Sequence, residues 1–161
     1  MDVVSAYHRR LVSQAVDTTA RQDGAGPERL RVHEVRAVAG DGSVRDRVTE
    51  GEPVTIEVWL YAEDGVDGAR VTVGFRDAAG QPLGSQTAEG VRLRPARLEP
   101  LRLRFPGLPM REGRFFVDVI VNSEDLDAEL ARDERALELS VFSRDSAGSG
   151  PIRLGGSWEL P

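Results

Sequence analysis

Asp118 and Glu138 each fall on an apolar-alternating stretch at a position expected to face outward, so they are the acidic pair that could act together on a bond. Two carboxylates at a set separation suffice for glycoside hydrolysis, but a chain with 27 Asp and Glu offers such pairs by chance. Nucleophilic hydrolysis is excluded more firmly. The two histidines, His8 and His33, lie near the N-terminus and in a strand, and no Gly-x-Ser-x-Gly elbow accompanies them. Cysteine is absent and all 21 basic residues are arginine, which removes thiolate chemistry, Schiff bases and a phosphate-loop lysine. The acidic run Glu124, Asp125, Asp127, Glu129 lacks the spacing and the glycine of a calcium loop. No catalytic residue, metal or cofactor is expected, and the chemistry left to this chain is non-covalent recognition.

Composition sets the next limits. At 161 residues, 40% apolar and 30% charged, the chain fits one globular domain, and no window reaches the roughly 18 apolar residues of a membrane helix. A net charge of −6 argues against nucleic acid and anionic lipid as partners. The lack of cysteine gives weak support for a reducing compartment, and the N-terminus carries no secretory signal pattern.

The elements that must position any recognition patch are strands. Val54, Ile56, Val58 and Leu60 alternate with Thr55, Glu57, Trp59 and Tyr61. Val71, Val73 and Phe75 alternate with Thr72, Gly74 and Arg76, and Asp77 to Gly80 turns the chain into a short segment at 83–87. Leu101, Leu103 and Phe105 form a strand that Pro95, Pro100, Pro106 and Pro109 confine to a sheet edge. Phe115, Val117, Val119 and Val121 alternate with Phe116, Asp118, Ile120 and Asn122, and Leu137, Leu139 and Val141 supply another strand. A first strand from Leu30 changes phase near His33, which predicts a bulge, and Asp41-Gly42 predicts a turn. The acidic stretch 124–134 is read as a helical turn, and residues 152–160 as a last short strand. Short strands punctuated by turns predict an all-β, immunoglobulin-like antiparallel β-sandwich over 30–161. Residues 1–17, with Val3, Val4, Tyr7, Leu11 and Val12 near one face, predict a short helix, and the Gly-Pro-ended polar segment 18–29 a linker.

Several segments, taken together, resemble a known family. A Val-Val-x-x-Tyr helix, a polar linker, the Asp41-Gly42 turn, Val73-Gly74-Phe75-Arg76-Asp77-Ala78-Ala79-Gly80, Gly113-Arg114-Phe115-Phe116-Val117-Asp118-Val119 and Gly155-Gly156-Ser157-Trp158 look like the C-terminal domain of the Wzt-type ATPase subunit of polysaccharide ABC exporters. The resemblance implies a non-catalytic carbohydrate-binding sandwich that recognises an O-antigen-like polysaccharide for export. Residues 1–17 would then end the preceding ATPase domain. The partners implied are the polysaccharide, the ATPase domain and the membrane subunit, at the cytoplasmic face of the membrane. It also implies a homodimer exchanging its C-terminal strand, for which 148–150 would be the hinge. The alternative is an immunoglobulin-like dimerisation or protein-interaction module without glycan affinity.

A sugar-binding surface needs ring faces for stacking and polar groups for hydroxyls. The first candidate is the outward set Phe116, Asp118 and Asn122 with Arg76 and Thr72 on the strand expected beside it; the second is Trp59 with Tyr61, expected in the opposite sheet. Covering of Phe116 and Ile120 by a loop or a second subunit is the plain alternative for the first, and packing of the N-terminal helix for the second. Trp158 reads as an anchor for the last strand. The arginines Arg92, Arg94, Arg97, Arg102 and Arg104 read as a solvated strand face rather than a grip on an anionic partner.

Overall fold

Alternation of apolar and polar residues builds two sheets that bury their apolar sides against each other. The computed structural model describes residues 29–124 and 128–143, and these are strands and turns with no helix. The strands are β1 (Leu30–Ala39), β2 (Arg47–Thr49), β3 (Val54–Ala62), β4 (Val66–Asp77), β5 (Pro82–Leu93), β6 (Arg97–Phe105), β7 (Gly113–Asn122) and β8 (Glu129–Phe142). One sheet has the order β1-β3-β6 and the other β2-β8-β7-β4-β5. Pairing is antiparallel except that β2 runs parallel to β8, a departure from the all-antiparallel expectation.

In β3 every second residue from Val54 to Ala62 is buried, and in β7 Phe115, Val117, Val119 and Val121 are buried, so the two clearest alternations in the sequence form the facing walls of the core. Phe75 of β4 meets Phe105 of β6 across the interior, ring edge to ring face, with centroids 5.7 Å apart. Leu108 and Met110, in the connection from β6 to β7, are buried with them. The phase change at His33 is a bulge, the register of β1 on β3 shifting between Val32 and Glu34. At Asp41-Gly42 the turn closes through Gly42 N–H donating to Ala39, with Gly42 at φ 82° where a side chain would be strained. The proline-flanked β6 is an edge strand, as its prolines require.

Two expectations are corrected. Residues Glu129 to Glu134 belong to strand β8 rather than a helical turn, because Glu129, Ala131, Arg132 and Asp133 pair with β7. The segment expected at 83–87 is a strand of twelve residues, β5, most of it exposed. The sheets are also unequal, five strands over three, so the 82–88 end of β5 projects beyond the strands that would cover it. The expected helix at 1–17, the linker up to residue 28, the strand at 152–160 and Trp158 lie outside the described residues.

Candidate recognition surface

β7 lies beside β4 with Arg76 opposite Phe116, Gly74 opposite Asp118, Thr72 opposite Ile120 and Arg70 opposite Asn122. Directly opposed residues share a face, so Arg76, Thr72, Phe116, Asp118 and Asn122 stand together on the outer side of the five-stranded sheet. Trp59 and Tyr61 occupy the outer side of the three-stranded sheet, on the far side of the sandwich.

The first set is not uniformly available to a ligand. Asp118 was expected to be exposed and is only 5% accessible. Its Oδ2 accepts a hydrogen bond from Arg76 Nε, and its Oδ1 accepts one from the backbone N–H of Arg135 at 2.9 Å. Both carboxylate oxygens are occupied by charge-assisted or backbone donors, which makes Asp118 a positioning residue. Thr72 is buried too, its hydroxyl 2.9 Å from that of Thr87 on β5. Outward placement therefore does not guarantee exposure, because long neighbouring side chains close over short ones. Glu138, the other member of the acidic pair, faces Phe116 and meets Arg114 at 3.5 Å, so Asp118 and Glu138 are not two free carboxylates.

What Asp118 positions is an arginine that sequence reasoning missed. From Asp133 to Leu137 β8 runs four residues while β7 runs only from Val119 to Val117, so β8 bulges opposite Asp118. Arg135 sits in this bulge at φ 57°, a left-handed conformation that costs a non-glycine residue on the order of 1 kcal/mol. The bulge swings its guanidinium to 4.6 Å above the Phe116 ring. No carboxylate among the described residues pairs with Arg135. A glycine or asparagine normally marks such a bulge, and neither is present to signal it.

Beside this stack the surface is open. No atom lies within 4 Å of the position a Cβ on Gly74 would take, so Gly74 floors a shallow depression bordered by Thr72, Arg76 and Asp118 and, through the β4–β5 register, by Ser85. Phe116, Ile120 and Asn122 are half-buried, each leaving part of its surface to solvent. An aromatic ring capped by a guanidinium, the Asn122 amide and the Ser85 hydroxyl thus stand on one side of the sheet. Asp133, across β8 from Val119, has its carboxyl pushed above the usual range by burial and then by the charge of Asp118.

The opposite face is occupied differently. Arg36 lies 5.2 Å over Trp59 and Arg31 5.1 Å over Tyr61, and Arg36 is paired to Glu34 at 2.5 Å. That bond pulls the Glu34 carboxyl below its ordinary value. Glu57 takes Arg102 at 2.8 Å. Trp59 Nε1 is buried without a hydrogen-bond acceptor. The arginines expected as a group are spread out, Arg92 paired to Asp67 and Arg94 to Glu99 while Arg97 and Arg104 lie on β6, so they form no common anion grip.

Among the described residues no helix is long and apolar enough to cross a membrane, and no three His, Asp or Glu side chains cluster to hold a metal. No curated protein sequence matches the chain. Among solved structures, the crystal structure of the C-terminal domain of Wzt aligns with a TM-score of 0.72 at 12% identity, over 83% of this chain and 84% of that one. A calcium-binding mutant of Bacteroides uniformis β-glucuronidase 2 and a β-glucuronidase from glycoside hydrolase family 2 each align at TM-score 0.50, with 9% and 11% identity over 66% and 70% of this chain. The chain spans only 14% and 12% of those enzymes, and at such identities the likeness is one of fold alone. A sequence profile does what these superpositions cannot: that of the Wzt C-terminal domain matches residues 21–154, most of the chain, and to that family the chain belongs.

Proposed function

We propose that this domain is a non-catalytic glycan-binding module of a polysaccharide ABC exporter, and that it holds its ligand on the outer face of the five-stranded sheet. The observation that carries the reading is Arg135, stacked on Phe116 without a carboxylate partner among the described residues and held there by Asp118. A pyranose ring would lie against Phe116 and Ile120 over the Gly74 depression, with Arg135, Arg76, Asn122 and Ser85 reaching its oxygens. The immunoglobulin-like character of the sandwich, an O-antigen-like ligand, an ATPase domain ahead of residue 18, a dimer built by exchange of the C-terminal strand and a place at the cytoplasmic membrane face follow from family kinship and belong to the same proposal.

The test is retention of the exporting strain's own polysaccharide in affinity electrophoresis by the 161-residue chain. Phe116→Ala and Arg135→Ala are each expected to weaken retention by roughly tenfold or more while thermal unfolding stays cooperative. Undiminished retention in both would remove the site from this face. The competing interaction module draws on the exposed Phe142 and Leu98, 49% and 40% accessible. It predicts self-association without retention of any glycan.

A further inference from the structure

The unequal width of the two sheets makes a second feature. Phe75 is opposed by Gly84, and Val73 by Gln86, so Gly84 and Gln86 point to the same inner side as the core residues they face. Yet both are exposed, because no strand of the smaller sheet lies over this part of β5. Between the overhanging β5 and the edge strand β6 runs a cleft of about 170 Å³, lined by Phe75, Leu83, Gly84, Ser85, Gln86, Phe105, Pro109 and Met110. Elsewhere the buried inner positions of this sheet are apolar, with Ala69, Val71, Phe75, Leu93 and Leu139 among them; here they are glycine and glutamine.

We propose that this cleft is a second binding subsite that takes one uncharged pyranose residue of the glycan. The inference rests on the glycan-binding reading but uses a different surface. Size is the first argument: a cavity of about 150 Å³ holds a benzene ring, so this open cleft of about 170 Å³ takes one face of a single pyranose and leaves its outer hydroxyls in solvent. Chemistry is the second. Phe75, Phe105, Leu83 and Met110 offer an apolar wall, suited to the C–H face of a sugar, whereas the Gln86 amide has no hydrogen-bond partner among the described residues and offers both a donor and an acceptor. As an edge strand, β5 also turns unpaired backbone groups outward. Charge is the third: no acidic or basic side chain lines the cleft, so a hexuronate or phosphosugar would lose hydration there with nothing to replace it. A purely apolar occupant would leave Gln86 without a role.

Gly84 provides a clean way to close the cleft. Its φ is not in the left-handed region, and a Cβ there meets no atom within 4 Å, so Gly84→Val fills space without strain and suits a strand. The experiment titrates the 161-residue chain with methyl α-D-glucopyranoside, methyl α-D-mannopyranoside, methyl α-D-galactopyranoside and D-glucuronate, reading backbone and side-chain amide shifts by NMR. At least one neutral glycoside is expected to shift Gly84 and the Gln86 side-chain amide. Glucuronate is expected to leave them in place, and Gly84→Val to weaken the neutral glycoside by roughly tenfold with the unfolding temperature unchanged. Two results overturn the subsite: no glycoside moves these amides, or Gly84→Val binds as tightly as the parent. If polysaccharide still shifts Phe116 and Arg135 in that case, glycan binding stands and only the cleft falls; if it shifts neither region, both fall.

Discussion

Both outer faces carry an arginine over an aromatic ring, and two of these stacks, Arg36 on Trp59 and Arg135 on Phe116, stand in opposite states of readiness. On the three-stranded face Arg36 covers Trp59 while bonded to Glu34, and the neighbouring Glu57 holds Arg102, so the charges beside Trp59 are cancelled locally, whereas Arg31 over Tyr61 has no carboxylate partner among the described residues. On the five-stranded face Arg135 covers Phe116 with no carboxylate partner among the described residues, and a buried carboxylate grips its backbone instead of its charge. Neutralising an arginine through its side chain uses up its donors; fixing it through its main chain leaves them for a ligand. That contrast favours Phe116 over Trp59 as a sugar platform, although Trp59 has the larger ring.

The contrast is most easily broken at Asp118. Removing it should cost about 2 to 4 kcal/mol, since Asp118→Ala leaves the Arg135 N–H and a partly covered Arg76 without their acceptor. The equivalent change on the other face, Glu34→Ala, removes an exposed pair and should cost far less. Urea unfolding of the two variants checks this, and equal losses would erase the distinction. Arg135→Gly sharpens it at a smaller scale: relief of the left-handed conformation should hold or raise stability, by up to about 1 kcal/mol, while glycan retention falls. A loss of stability would mean that the stack on Phe116 is structural.

The smallest effect concerns pH. Burial raises the Asp133 carboxyl pKa in the folded state, so the folded protein binds its proton more tightly than the unfolded chain. Stability from this group is therefore greatest below the unfolded-state pKa and declines as pH rises through the folded one. Asp133→Asn should be more stable than the parent at neutral pH, and the gap should close as pH falls through the usual carboxylate range. A gap that widens on acidification would contradict the sign.

Alternation made much of this architecture legible. β3 and β7 could be read residue by residue because both have one side pressed into the core, and the phase break at His33 announced its bulge. The pairing of β4 with β7 followed from sandwich order, whereas the register that sets Arg76 opposite Phe116 came only with the structure. Where no core presses, the signal fades: β5 has a long flank with nothing above it, and the first half of β8 alternates charge against charge, so the acidic stretch looked helical. Burial of Asp118 and Thr72 depends on what their cross-strand neighbours do, which no single strand's pattern encodes. Arg135 was invisible because its role arises from a two-residue mismatch between partner strands.

The overhang of β5 separates two demands that usually compete. Residues 84–86 touch so little of the buried interior that they are free to vary without weakening it, while the rings at their base stay fixed by the core. A lineage, or a protein engineer, could retune which sugar is admitted there by exchanging a few side chains on one rim, with the thermodynamic cost of folding left almost untouched.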